Sequence, residues 1–345
     1  MADTSAVKKN RIFYLDFVRA IATIAIILTH YNALFVYNVV TPAPEKAVIT
    51  MQVSNIYIGA FGVSLFFIIS GASLMYVYDN KIELPKFYKK RLLGIYPMFW
   101  LAYFLAAVYR YRTAGGIAPG VPKRNFILTI LGIDSYMGNF GVQSFCLIGE
   151  WFIAVIIMMY LLFPIMRILV QKNPWIVFAI ACVLGLISTL VYGKSIEVFA
   201  RIPEFMFGMI FIKYIKKVDW RALVIAIGIL VVNAIVKPMF IPNNIQTFYV
   251  GISSFLVLVF IANYIRLDSA RNIFQVISKY SYACFLVHHF IIYRVAEKVD
   301  LNNMTRKASY MIFLWCVVLI AFFSWALQAI YDKMTSVIKR KNNYA

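Results

Sequence analysis

Charge is scarce in this sequence. Only 14% of the 345 residues are Asp, Glu, Lys or Arg, against roughly a quarter in an ordinary soluble domain. Acidic side chains are rarest, 14 against 34 Lys and Arg. Histidine occurs three times, as His30, His288 and His289, and cysteine four times, as Cys146, Cys182, Cys284 and Cys316. The histidines are too few and too scattered along the chain to predict a zinc site, and no cysteine pair has metal-ligand spacing. Each cysteine lies in or beside an apolar run and reads as a small buried hydrophobe, so no redox chemistry is expected. Neither a metal nor a permanently bound cofactor is anticipated. Internal repeats, low-complexity linkers and a soluble domain are also missing. No cleavable signal peptide is expected, because the first apolar run is too long for one and Asp16 and Arg19 interrupt its start.

What fills the chain is apolar: 63% of residues are hydrophobic and 17% aromatic, with a mean hydropathy of +0.79. A water-soluble core cannot hide that much apolar surface, so the chain is read as a polytopic integral membrane protein. Ten apolar spans are predicted, at about 13–39, 56–78, 92–109, 145–169, 174–192, 199–215, 222–240, 248–266, 281–297 and 309–331. Most can cross about 30 Å of hydrocarbon at 1.5 Å per residue. The predicted fold is therefore all-α, a bundle of about ten transmembrane helices forming one domain over residues 1–345.

The net charge of +20 would point to nucleic acid in a soluble protein. Here the basic residues sit mostly in short loops, so they read as topology and contact with anionic lipid headgroups, and no nucleic acid is expected. If the N-terminus is cytoplasmic, 21 of the 34 basic residues fall inside, 12 outside and Arg19 within the first span. That bias puts both termini in the cytoplasm. Against it, Arg110, Arg112, Lys123 and Arg124 fall outside. Either they face something anionic, or the short run FILTILGI at 126–133 complicates the path. The Gly-rich stretch 110–144 is expected to form an outer lid or a re-entrant segment.

The first span, YLDFVRAIATIAIILTH, carries Asp16, Arg19 and His30. At 100° per residue, positions 16, 19, 23, 26 and 30 form one seam, with Arg19 and His30 about 16 Å apart along the axis. The seam points into the bundle rather than at lipid. One reading is structural: Asp16 pairs with Arg19, and His30 satisfies a partner. The other is functional, since ionisable groups inside a membrane are costly and an imidazole suits general-base work.

These residues carry a resemblance. LDFVRAIATIAIILTH resembles the signature of the type-three membrane acyltransferases, an Arg and a His separated by ten residues and preceded by Leu-Asp. In order along the chain, GVSLFFIISGASLM at 62–75, FYKKRLLGIYPMFW at 87–100, EWFIAVIIMMYLLFP at 150–164, RIPEFMFGM and SKYSYACFLVHHFII resemble the later family motifs. The resemblance implies transfer of an acyl group, most often acetyl, from acyl-CoA (acetyl-CoA in the common case) to a hydroxyl of a cell-surface or lipid-linked glycan. It implies a multi-pass protein of the cell membrane, in this branch the bacterial plasma membrane. Two positions depart from the pattern. Gly94 stands where many members carry a second Arg, and Ile156 and Ile157 stand where many carry a Glu, leaving Glu150 as the nearest carboxylate. The pattern is closer to the branch that acetylates enterobacterial-type surface glycans than to the peptidoglycan branch, whose appended soluble domain is missing.

Site expectations follow. His30 is the general base, with Asp16 and Arg19 fixing the seam. Arg19, Lys90 and Arg91 are candidates for the CoA phosphates, although Lys90 and Arg91 also fit simple inside anchoring. Glu150 and Trp151 fit either sugar binding or an interfacial belt. His288 is a candidate for the acceptor side, on the argument that only one of His288 and His289 can line the site. The small residues of GVSLFFIISGAS read as helix packing, and Ser70 as a nucleophile is unsupported. A transporter or flippase of a lipid-linked glycan is the alternative function, since it too needs intramembrane charge and an aromatic cavity. The oligomeric state is left open.

Overall fold

Hydrocarbon offers a backbone no hydrogen-bond partner, so apolar runs of this length must close their own amide bonds as helices. In the computed structural model, which describes residues 10–148, 151–192 and 197–342, every predicted span falls on a helix. The helices are α1 (Phe13–Tyr37), α2 (Ile58–Tyr78), α3 (Leu84–Ala114), the short α4 (Phe126–Ile130) and α5 (Asp134–Met137), α6 (Trp151–Lys172), α7 (Pro174–Ile187), α8 (Glu197–Ile210), α9 (Trp220–Val236), α10 (Asn243–Ala262), α11 (Asp268–Ala296) and α12 (Arg306–Asn342). A π turn extends α7 over Ser188–Tyr192 and another extends α8 over Phe211–Ile215. Seven helices among the described residues are long and apolar enough to cross a membrane unaided. Of the ten, α8 and α9 are shorter, and the apolar run of α11 is broken by Lys279, Ser281, His288 and His289. Helices α3 and α11 begin well before the predicted spans because their first turns are basic or polar, and a helix continues past the hydrocarbon boundary where hydropathy stops. Pro97 does not break α3.

The departure from pure helix is a two-residue hairpin, β1 (Gln52–Val53) against β2 (Ile56–Tyr57), antiparallel with Val53 opposite Ile56. Ser54 and Asn55 make its turn, both at positive φ (46° and 66°), as a two-residue turn matched to strand twist requires. The turn fastens two helices: Ser54 Oγ donates to the Leu230 carbonyl at 2.6 Å, and Asn55 Nδ2 to Gln246 Oε1 at 3.1 Å.

Contacts between helix ends give the topology. Near the start of α1, Tyr76 of α2 donates to the Asn10 carbonyl and Ser278 of α11 to Asp16. Arg167 of α6 reaches the Tyr78 and Asp79 carbonyls, Lys213 after α8 reaches Asp79, and Tyr331 of α12 reaches Leu93 of α3. At the opposite end, Asn233 of α9 reaches Ser54, and Tyr31 of α1 the Ser309 carbonyl of α12. The ten long helices thus run alternately, and both ends of the described chain lie at the same end of the bundle. That end holds the larger share of Lys and Arg and is called inner below.

Helix α1 is the axis. From Ile12 to Val36 no residue is exposed, so its apolar faces meet protein as fully as its polar seam does. Helices α2 and α8 cross beside it at glycines. A Cβ on Gly71 would run into the Phe205 carbonyl, and one on Gly208 into that of Ile68. Only a hydrogen at both positions allows so close a backbone approach. The stretch after α3 turns back: α4 and α5 fold back along α3, where Trp100 Nε1 donates to the Ile130 carbonyl (2.9 Å) and Tyr96 to that of Leu131 (2.8 Å).

At the inner rim, Asp79 accepts from Lys213 Nζ (2.5 Å) and Gln171 Nε2 (2.9 Å), joining α2, α6 and the turn after α8. Burial alone would raise the Asp79 pKa, but those two hydrogen bonds and the charges of Lys213 and Arg167 hold it below the usual carboxylate value. A carboxyl depressed in the folded state stabilises above its unfolded pKa, and that stability drains as pH falls through the folded value. The gap in thermal midpoint between the wild type and Asp79→Asn in detergent should therefore be constant near neutrality and close as pH drops below about 4. A gap independent of pH would show that the pairing contributes nothing. Topology has its own check. With the four native cysteines replaced by Ala, an impermeant thiol reagent on intact cells should label Glu45→Cys and miss Asn342→Cys, and the reverse pattern would invert every side assigned here.

Candidate active site

Asp16 is the most constrained charge of the seam. Its carboxylate is almost fully buried (4% exposed) and is paired on both oxygens. Arg11 bonds Oδ2, Ser278 Oγ donates to Oδ1 at 2.7 Å, and Arg19 Nη1 lies 3.9 Å from Oδ1. Ser278 Oγ in turn accepts from Arg19 Nη1 at 3.3 Å, and Ser73 Oγ of α2 meets Arg19 Nη2 at 3.4 Å. An unpaired carboxylate here would cost several kcal/mol, so this network ties α1 to α2 and α11. Arg19 is held only by long contacts, and its side chain keeps 29% of its surface. Its charge is paired but not used up.

At the far end of the seam the three histidines meet. The His30 ring centroid lies 4.8 Å from that of His288 and 5.0 Å from that of His289. The histidines, far apart along the chain, thus converge in the fold, and both members of the adjacent pair lie against His30. Adjacent helical residues differ by about 100°, so a third ring on the facing helix is flanked by both. Among the described residues no group of three His, Cys, Asp or Glu is arranged to hold a metal ion.

The role of each nitrogen of His288 follows from its partners. Nδ1 faces the carbonyls of Cys284 (3.0 Å) and Phe285 (2.8 Å). Carbonyls only accept, so Nδ1 carries a proton, and in the neutral ring Nε2 holds a bare lone pair. That Nε2 is buried and has no hydrogen-bond partner. The equal spacing of Arg19 to His30 and Ser278 to His289, eleven residues in each case, sets both polar ends in step on two parallel helices. It is the sequence signal that would have found His289 and Ser278.

Between the two ends the seam is nearly closed. Thr23 and Ile26 of α1, Phe66 of α2, and Ser281, Cys284 and His288 of α11 border a void of about 10 Å³, room for a single water at most. The space widens on either side. Toward the inside, Lys86, Lys89, Lys90 and Arg91 of α3 line a cleft of about 800 Å³ with Tyr160 of α6 and Asp332 of α12. The Arg91 guanidinium packs 5.8 Å from the ring centres of Tyr78 and Tyr160, and its Nε is buried without a partner. Gly94 lines the cleft with open space around it. Toward the outside, His289 borders a pocket of about 160 Å³ with Arg110, Tyr293 and Arg294.

The structure thus brings Asp16 together with Arg19, His30 with His288, and Lys90 with Arg91. Trp151 lies apart from the imidazoles. Its ring meets Phe152, which meets Phe285, whose ring is 5.9 Å from His288. Glu150 lies outside the described residues. A further buried pair went unread in the sequence, Arg201 Nη1 with Glu204 Oε1 at 3.3 Å on α8.

Comparison with known proteins bears on the family. A family model described as "Acyltransferase domain" matches residues 12–329. Acyltransferase MdmB of Streptomyces mycarofaciens is 27% identical over 124 residues, which is 34% of this chain and 30% of that protein. No solved structure matches. The matched stretch runs from the residue before α1 into α12 and takes in the seam, the basic residues of the cleft and all three histidines, and the chain belongs to the acyltransferase family that this model defines.

Proposed function

We propose that this protein is a membrane O-acyltransferase, moving an acyl group, acetyl in the simplest case, from acyl-CoA to a hydroxyl of a cell-surface or lipid-linked glycan. The observation that carries the reading is the position of His30: in the bundle interior, flanked by two imidazoles, with a basic cleft on one side and a basic pocket on the other.

In this reading the donor's phosphates lie against Lys86, Lys90 and Arg91, with Arg19 deeper on the same path. Arg91 fits the task because its guanidinium is held on aromatic faces while Nε lacks a protein partner. Its fork matches phosphate geometry as an ammonium does not. The acceptor arrives from the pocket beside His289. His30 takes the proton of its hydroxyl as the oxygen attacks the thioester carbonyl carbon. Collapse of the tetrahedral species breaks the C–S bond, and the departing thiolate takes the proton back from His30, leaving ester and free CoA. His288, with a proton on Nδ1 and a lone pair on Nε2, suits the task of orienting His30, as a base commonly needs a second group to fix its ring. The extended phosphopantetheine arm must pass the level of Thr23 and Ile26, where the void of about 10 Å³ has to widen. Separation of α1 from α11 on donor binding supplies that room. The membrane meant is the bacterial plasma membrane.

The same two-ended layout also suits a transporter of a lipid-linked glycan, and His30 separates the two readings. In the acyltransferase, His30→Ala should abolish transfer of labelled acetyl while inserting into the membrane normally. Transfer at wild-type rate by the variant would end the assignment. For the donor site, Arg91→Lys keeps the charge and loses the fork. Apparent donor affinity should fall about tenfold, roughly 1.4 kcal/mol, with the acceptor's unchanged. An unaltered donor response in purified enzyme would leave Arg91 an anchor only.

A further inference from the structure

The outer pocket is basic where topology gives no reason for it. Arginines on the outer side of a membrane protein run against the usual distribution, yet Arg110 at the end of α3 and Arg294 at the end of α11 border one pocket, with His289 on its wall. Arg110 spends only Nε on protein, donating to the Ile117 carbonyl at 2.9 Å. Its two terminal nitrogens make no hydrogen bond among the described residues. Arg294 is ion-paired with Glu297 through Nη2, and its Nε is buried with no hydrogen-bond partner. Its guanidinium carbon lies 5.9 Å from the ring centre of Tyr109 and 5.7 Å from that of Phe290. A buried guanidinium nitrogen without an acceptor is costly, and an aromatic clamp holds this one in place.

Among the described residues no Asp or Glu lines the pocket, and Glu297 beside it offsets only one of the two arginines. Two forks of donors with one net positive charge favour an anion with several acceptor oxygens. At about 160 Å³ the space equals roughly five waters of bulk liquid, enough for part of one sugar unit and too little for an oligosaccharide. The His289 ring, 5.0 Å from His30, joins this pocket to the imidazole cluster.

We infer that the outer pocket is an acceptor subsite for an anionic sugar unit, in which Arg110 and Arg294 grip a carboxylate or phosphate while a neighbouring hydroxyl of the same unit points past His289 toward His30. The inference rests on the acyltransferase reading for the direction of the hydroxyl, but the anion site itself is testable without any transfer. It makes the two arginines specificity-determining residues: they select which glycan is acylated and take no part in bond making.

The test is binding to the purified full-length protein in detergent, read as thermal stabilisation by glucuronate, by glucose 6-phosphate and by neutral glucose. Both charged sugars should stabilise at concentrations at least tenfold below that needed for glucose, and added salt should weaken them selectively. The stronger of the two identifies the source of the charge, a uronic acid or a sugar phosphate. Arg110→Gln and Arg294→Gln should each reduce the anionic preference about tenfold, and Arg294→Lys should restore part of it. Arg110 is exposed, so its variant stays informative if Arg294→Gln fails to fold. Equal response to charged and neutral sugars, or a preference surviving both Gln variants, overturns the inference. Transfer assays separate the two levels. Anion binding by a wild-type protein that acylates no acceptor would sink the acyltransferase reading and keep the site. Efficient acylation of neutral and anionic acceptors alike would do the reverse.

Discussion

A carboxylate buried in a membrane protein must be neutralised where it stands, and Asp16 sets that demand on the rest of this structure. Its partners come from three places: Arg11 just ahead of α1, Arg19 one turn on, and Ser278 of α11. Because the cost of an unpaired charge there is several kcal/mol, the contact pins the axial position of α11 against α1. Two parallel helices fixed at one end stay in step along their length at 1.5 Å per residue. Equal eleven-residue spacings then deliver His30 and His289 to the same depth, with His288 beside them. The imidazole cluster is thus a consequence of an ion pair more than two turns away.

The second constraint is packing. In hydrocarbon, association gains little from burying apolar surface, so close van der Waals fit and interhelical hydrogen bonds carry it. Gly71 and Gly208 let α2 and α8 meet backbone to backbone. This pair forms a wall next to α1, while α11 closes the other side. The result is a central helix with no exposed residue over two dozen positions and a seam that is nearly shut at Thr23 and Ile26. A closed seam keeps water and ions from crossing between the inner cleft and the outer pocket. It also means that any chemistry joining the two sides depends on helix movement, and the long, loose contacts of Arg19, at 3.3 to 3.9 Å, are the part of the network least costly to rearrange.

Much of this was legible in the sequence. Ten apolar runs gave ten helices because hydrocarbon leaves the backbone no other choice, while boundaries missed where basic or polar turns lengthen a helix, as at Lys86–Arg91 and at the start of α11, and at 145–148, where the predicted span begins ahead of α6. The seam was readable as well, since the periodicity of one helix is a local property. The short apolar run within 110–144, too brief to span, folds back along α3, a path compatible with either the outer lid or the re-entrant segment expected there.

What the chain order alone determined, then, was everything that local hydropathy and helical period govern: the number of helices, their alternation, the basic inner rim, and the shared face of Asp16, Arg19 and His30. What only the tertiary structure decided was which helices become neighbours. The 257 residues between His30 and His288 contain no local pattern that names α11 as the partner of α1. Several helices were apolar enough to serve. Only the packed bundle, with Ser278 against Asp16 and the glycines of α2 and α8 against each other's carbonyls, selects that neighbour. The joining of the three imidazoles, the narrowness of the seam between them and Arg19, and the meeting of Arg110 with Arg294 are therefore properties of packing. Close fit between side chains far apart in the chain sets them, and no segment of sequence carries them by itself.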